Sequence, residues 1–226
     1  MSYRLEEVVP WGRTIAEYEA MFALDPTALS GSILGCGDGP ASFNAEATQR
    51  GINVVSVDPL YRFDEVSIRR RIAEVFDTVV GQTRDNHDEF VWGELIRDVE
   101  HLAEIRRNAM DRFLADFTTG KAAGRYVEGA LPHLDFAQES FDLALCSHYL
   151  FLYSEQVSLA DHVASILEMR RVAKEVRVFP LQELGSRPSR HLEEIVRMLT
   201  AAGHQIEQRQ VDYEFQRGGN QVLVIN

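Results

Sequence analysis

The chain has 226 residues, 45% of them hydrophobic and 26% charged, with a formal net charge of −12. That suffices for one globular domain with a sizeable core, and the acidic balance disfavours broad binding to a phosphate backbone. Its two cysteines, Cys36 and Cys146, form no CxxC pair or Cys/His cluster, which excludes a zinc finger and a disulfide scaffold and makes a reducing, cytoplasmic location the default.

The opening run MSYRLEEVVPWGR lacks the apolar stretch of a signal peptide. The longest apolar candidate, residues 141–153, is interrupted by Asp142, Ser147 and His148, so no membrane span is expected. Residues 14–24 read as a helix. Thr14 and Glu17 have the spacing of a capping box, and Ile15, Tyr18, Met21 and Phe22 share one face. Residues 32–34 read as a short strand entering Gly35-Cys36-Gly37-Asp38-Gly39-Pro40. Pro40 suits the first turn of a helix over 41–50, because its missing N–H costs nothing there. A β-branched strand over 52–57 follows and ends at Asp58-Pro59. Strand, glycine turn, helix and strand make a βαβ crossover, which implies a parallel sheet.

From 60 to 124 the spacing is helical, carried first by Ile68, Ile72, Val75, Phe76, Val79 and Val80. Leu95, Ile96, Val99, Leu102 and Ile105 resume it, and Phe113, Leu114 and Phe117 close it. Two or three helices are expected, where a crossover needs only about a dozen residues, so the surplus reads as an insertion or cap. Residues 125–127, 140–146 and 175–179 read as three more strands, with a helix over 157–172 before the last. A helix over 191–202 precedes two closing strands, 205–215 and 221–225, with Arg217-Gly218-Gly219-Asn220 as a hairpin turn. The organisation expected is a single α/β domain over 1–226, mostly parallel in its sheet, with a helical insertion at 60–124.

Chemistry points first to the glycine turn. A strand that turns sharply into a helix directs backbone N–H groups outward, and glycines let a ligand approach them. The spacing is not G-x-G-x-x-G, since Pro40 and Ser42 stand where its last glycine would be, and it is not a Walker loop, since no Lys-Ser/Thr follows. Asp58 closes the second strand 19 residues after Gly39. A carboxylate there can accept hydrogen bonds from both ribose hydroxyls of a nucleoside lying across the crevice.

The run ILGCGDGPASF, then VVSVDP, then EGALPHLDFAQESFDLALCSHYLFLY resembles the class I S-adenosylmethionine-dependent methyltransferases, in the order that family shows. The resemblance implies a Rossmann-like methyltransferase fold, with a mostly parallel seven-stranded sheet whose last strand is antiparallel. It implies S-adenosylmethionine as cofactor. Gly35, Cys36, Gly37 and Gly39 would lie against its methionine and ribose, and Asp58 would hold the ribose. Gly129, Ala130 and Leu131 would flank the adenine, and Cys146, Ser147 and His148 would line the methyl end. The chain departs from the family at Ile33, where many members carry an acid, and at Glu128, which stands before Gly129-Ala130.

Methyl transfer needs in-line positioning and exclusion of water, and a general base only for a protonated nucleophile. His148 is the candidate base, against the alternative of a packed loop histidine. Cys146 reads as a small buried hydrophobe. The Asn-Pro-Pro-Tyr signature of nucleobase and glutamine methylation is absent, with SHYL in its place. The expectation is therefore a small-molecule acceptor, with neither nucleic acid nor membrane as partner. Arg69-Arg70-Arg71 is either an anion contact or a solvated helix face. Tyr61, Phe63, His87, Trp92 and His101 are further pocket candidates. Asp85, His87, Asp88 and His101 fix no metal geometry, so no metal is expected. The competing functions are a methyltransferase-like protein that binds cofactor or a protein partner without turnover, and a nicotinamide-dependent oxidoreductase. The missing G-x-G-x-x-G disfavours the second.

Overall fold

A computed structural model describes residues 9–226, so most of the opening run read above for a leader lies outside the described residues. The first helix, α1 (Ile15–Phe22), starts as its sequence dictates. Thr14 and Glu17 form a reciprocal capping box, and Ala23 closes the helix in a left-handed conformation. β1 (Ser32–Cys36), α2 (Phe43–Gln49) and β2 (Asn53–Val57) form the expected βαβ unit. Two long helices follow, α3 (Glu65–Asp85) and α4 (Val99–Ala122), each begun by an aspartate, Asp64 or Asp98, that accepts a backbone N–H three residues on. Then come β3 (Tyr126–Val127), β4 (Phe141–Ser147), α5 (Leu159–Val172) and β5 (Ala173–Phe179). A two-stranded ribbon, β6 (Gln182–Glu183) with β7 (Arg187–Pro188), precedes α6 (Leu192–Ala201), β8 (Ile206–Gln210) and β9 (Gln221–Ile225).

Among the described residues the main sheet has seven strands in the order β3-β2-β1-β4-β5-β9-β8. The first five are mutually parallel, and β9 runs antiparallel to both of its neighbours. Neighbouring residues on the central strands alternate between two cores. Ile33, Leu143 and Leu145 face α1 and α2 with Tyr18, Phe22 and Phe43. Leu34, Ala144 and Cys146 face α5 and α6 with Ile166, Met169 and Leu199. Apolar side chains on both faces explain why these strands read as continuous hydrophobic runs.

A third core joins α3 and α4 to the β3 edge through Tyr61, Ile68, Phe76, Phe113, Phe117 and Tyr126. At about 1.5 Å per residue α4 is some 36 Å long. Its carboxyl half packs on β3 as a crossover helix, while Leu102 near its amino end reaches the cavity described below. No described helix is long and apolar enough to cross a membrane.

The closing hairpin differs from the sequence reading. β8 ends at Gln210, paired with Gln221, and residues 211–220 form a loop instead of a longer strand and a tight turn. Long-range contacts draw the loop away from the sheet. The Tyr213 hydroxyl donates to Glu17 at 3.1 Å, and Phe215 stacks on Phe90 with ring centroids 4.7 Å apart.

Candidate active site at the carboxyl edge of the sheet

After β3 the chain returns to the other side of β1, so the strand order reverses between β1 and β4. In open α/β sheets that reversal leaves a crevice outside the carboxyl ends of the strands. A cavity of about 450 Å³ occupies it, within the range of roughly 300–1,000 Å³ usual for small-molecule sites. Cys36, Gly37, Gly39, Asp58, Gly129, Ala130, Leu131, Ser147 and His148 all line it. Gly35 and Cys146 lie behind the wall, and burial pushes the Cys146 thiol up to about 12.

Each glycine of the turn has its own reason. Gly37 and Gly39 have φ of 70° and 54°, the left-handed region. A Cβ on Gly39 would meet nothing within 4 Å, so its backbone lies open to the cavity. Gly35 makes room for Asp38, whose carboxylate oxygen would sit 1.9 Å from a Cβ at that position. The Asp38 side chain thus folds back into the sheet. It accepts the Tyr18 hydroxyl at 2.7 Å and the Ser56 hydroxyl at 2.6 Å. Burial pushes its pKa up to about 6, although both hydroxyls favour the ionised form. The charged residue inside a glycine turn was the available signal for this buried group.

Asp58 fastens the turn to β2. One carboxylate oxygen accepts the Gly39 N–H at 2.9 Å, and the other accepts the Leu60 N–H at 2.7 Å. Burial raises its pKa and these two N–H groups oppose the rise. Tyr61 braces the same loop by donating to the Gly39 carbonyl at 2.7 Å. From β4, His148 enters the cavity wall at φ 53°, its N–H donating to the Phe179 carbonyl at 2.7 Å. Its Nδ1 lies 2.9 Å from the Ser147 hydroxyl. Burial, with the positive charges of Arg13 and Arg106, holds the imidazole pKa well below its ordinary value, so the ring is neutral at pH 7.

A buried ion pair ties the wall together. Arg106 of α4 donates to both carboxylate oxygens of Glu17 in α1, at 2.7 and 2.6 Å, and both residues are 0% exposed. Burial works against ionised Glu17, but Arg106 and then Arg13 outweigh it and hold the carboxyl down at about 2. Trp11, Arg13 and Tyr18 from the N-terminal side, Thr83 from α3, and Phe90 and Phe215 complete the wall. Sequence reasoning did not select Trp11, Thr83, Phe90 or Phe215 for the cavity, because each arrives from a distant segment. Phe63 also reaches the wall, whereas Arg69, Arg70 and Arg71 lie on the exposed face of α3 beside Glu65 and Glu74. His87 stacks on Trp92, and His101 accepts the Arg97 N–H. No metal-binding cluster occurs among the described residues.

No protein-family model matches the chain. The chain is 31% identical over 222 residues to the uncharacterized protein MJ0045 of Methanocaldococcus jannaschii, covering 98% of this chain and 97% of that relative. Among solved structures, magnesium protoporphyrin IX methyltransferase from Synechocystis PCC 6803, with bound SAM, aligns at TM-score 0.49 and 13% identity, over 93% of this chain and 76% of that one. A possible histamine N-methyltransferase from Thermotoga maritima aligns at 0.43 and 14%, over 93% and 86%. The chain therefore belongs to one family with protein MJ0045, and its strand order, antiparallel β9 and glycine turn give it the fold of the class I S-adenosylmethionine-dependent methyltransferases.

Proposed function

We propose that the protein transfers a methyl group from S-adenosylmethionine to a small-molecule acceptor. The observation that carries this reading is the joint placement of an open glycine turn and the Asp58 carboxylate on one cavity at the strand-order reversal. The donor set fits the cofactor. Each Asp58 oxygen accepts one backbone N–H and keeps a lone pair for a ribose hydroxyl, while Gly37 and Gly39 present no side chain of their own. Gly129, Ala130 and Leu131 are assigned to the adenine, and Ser147 and His148 to the methyl end. Bound there, S-adenosylmethionine supplies an already activated methyl group.

The chain's own residues have three tasks. The glycine turn and Asp58 orient the donor. Phe90, Phe215 and the helical insertion at 60–124, acting as a cap, exclude water. Neutral His148 removes a proton from an acceptor that carries one. That task requires Nδ1–H donating to the Ser147 oxygen, which leaves the Nε2 lone pair free. The small size of the cavity and the net charge of −12 support a small-molecule acceptor over nucleic acid, and two unpaired buried cysteines support a cytoplasmic location.

Thermal denaturation with S-adenosylmethionine, S-adenosylhomocysteine and NADH tests the reading. At a hundredfold excess over Kd a ligand stabilises by about 2.7 kcal/mol, which raises the midpoint by roughly 5–10 °C for a chain of this size. The first two ligands should do so and NADH should not. With an acceptor in hand, His148→Ala should lower turnover by about 10²–10⁴ while keeping the cofactor shift. Equal turnover would remove the histidine from the mechanism.

A further inference from the structure

In the methyl transfer proposed above, on which the role assigned here rests, His148 takes up a proton. Its surroundings oppose that step. Burial disfavours a charged ring, and the positive charges of Arg13 and Arg106 disfavour it further. Nδ1 meets no carboxylate that would steady an imidazolium. It meets a hydroxyl, that of Ser147, at 2.9 Å. A base in this setting works only if the charge does not stay on the ring.

The Ser147 hydroxyl opens a route to a carboxylate. Cys36 pairs with Cys146 across β1 and β4, which sets Ser147 beside Gly37 in the glycine turn. The Ser147 hydroxyl is directed at the Tyr18 oxygen. Tyr18 in turn donates to Asp38 Oδ1 at 2.7 Å, and Ser56 donates to Oδ2 at 2.6 Å. Tyr18, Asp38, Ser56 and Ser147 are all buried. An ionised carboxylate only accepts, whereas a hydroxyl both donates and accepts. Asp38 therefore takes the Tyr18 proton. The Tyr18 oxygen is left to accept from Ser147, and the Ser147 oxygen to accept from His148 Nδ1–H. Every donor in the series points towards Asp38, and the hydrogen bond at Nδ1 leaves the Nε2 lone pair free.

We infer that Asp38 is a positioning residue for His148: through Tyr18 and Ser147 it holds the ring in its Nδ1–H form and receives the proton that the ring takes from the acceptor. The step balances without a further reactant. The acceptor's proton binds Nε2 as the Nδ1 proton passes to Ser147, the Ser147 proton to Tyr18 and the Tyr18 proton to Asp38. The ring ends neutral in its Nε2–H form and Asp38 ends as a carboxylic acid. The electron pair of the broken bond stays on the acceptor, where it attacks the methyl group. No positive charge is left on the ring beside Arg13 and Arg106, and the negative charge that disappears is one that burial already disfavours.

Nitrogen-15 NMR of the full chain, labelled at histidine and free of ligand, tests this by reading the His148 tautomer, with His148→Asn identifying its signals. At about pH 8 the wild-type ring should carry its proton on Nδ1. Protonated Asp38 becomes a donor and reverses the series, so the ring should pass to the Nε2–H form as pH falls through about 6, without becoming charged. The groups facing the series hold their charge there. Glu17 stays ionised, Arg13 and Arg106 stay positive, and Tyr61, Cys36 and Cys146 are pushed up and stay neutral. Asp58 is the other acid that burial raises, and Asp38→Asn separates the two. Asp38→Asn and Tyr18→Phe should each abolish the tautomer change. A wild-type ring in the Nε2–H form at about pH 8, a tautomer that is constant between about pH 5 and pH 8, or a change that persists in Asp38→Asn overturns the inference. Either variant suffices if the other does not fold, and the wild-type series can refute the relay without them. Because no cofactor is added, a tautomer change in a chain that fails to bind S-adenosylhomocysteine keeps the relay and removes methyl transfer.

Discussion

Asp58 holds two structures at once, and replacing it with alanine separates them. The carboxylate staples the glycine turn through the N–H groups of Gly39 and Leu60, at 2.9 and 2.7 Å. Its remaining lone pairs are assigned to the ribose hydroxyls. Losing hydrogen bonds from the ligand to a charged group costs about 1–3 kcal/mol, or roughly 5- to 150-fold in Kd. Losing the staple leaves two backbone donors without an acceptor, at about 1–3 kcal/mol each, offset in part because a buried carboxylate no longer has to be desolvated. The midpoint of thermal unfolding should therefore fall by several degrees, at about 2–4 °C per kcal/mol. Titration with S-adenosylhomocysteine well below that midpoint reads the affinity on folded protein. A weaker Kd together with a lower midpoint supports both roles. A lower midpoint with Kd unchanged within twofold would show that Asp58 is a loop staple only and would refute the ribose assignment.

Gly35→Ala should be the most damaging change in the turn. Its methyl would displace Asp38 from Tyr18 and Ser56, at about 1–3 kcal/mol for overpacking on top of the lost hydrogen bonds. Gly39→Ala has open space and should cost only about 1–2 kcal/mol of left-handed strain. Urea unfolding ranks the two, and the reverse order would contradict the Asp38 geometry. Glu17→Gln leaves the buried Arg106 charge without its partner and should cost about 3–5 kcal/mol at neutral pH. Because the folded-state carboxyl is held at about 2, its contribution is complete above about 4.5 and lost as pH falls towards 2. The deficit of the variant should shrink over that window, and a deficit independent of pH would count against the ion pair. Asp38 has the opposite sign. Its folded-state pKa is raised from 3.8 to about 6, so wild-type stability falls as pH rises through that interval. Asp38→Asn should gain on the wild type by an amount on the order of 3 kcal/mol between about pH 4 and pH 8, and a constant difference would refute the burial argument.

The parts of the site that were legible in the sequence are local in the chain. Thr14 and Glu17 are three residues apart, the glycine turn is contiguous, and Asp58 follows its own strand, so spacing and turn chemistry suffice. Asp58 and His148 were found because each ends a strand that could be recognised by its apolar run. The cavity wall was less legible, since it depends on contacts that sequence pattern does not encode. Glu17 meets Arg106 across 89 positions and Tyr213 across 196. Alternation in residues 205–215 suggests a continuous strand, yet Tyr213 and Phe215 leave the sheet because the buried carboxylate and the Phe90 ring compete for them. Arg69, Arg70 and Arg71 show the converse: a conspicuous basic run ends on an exposed helix face with acidic neighbours.

Calorimetric titration of the folded wild-type chain with S-adenosylmethionine and S-adenosylhomocysteine tests the central claim most directly. The glycine turn, Asp58 and the cavity predict saturable binding of both, one per chain, with Kd on the order of micromolar, near −8 kcal/mol. No heat and no saturation at millimolar ligand, with the chain shown to be folded, would contradict the assignment of this cavity to the cofactor.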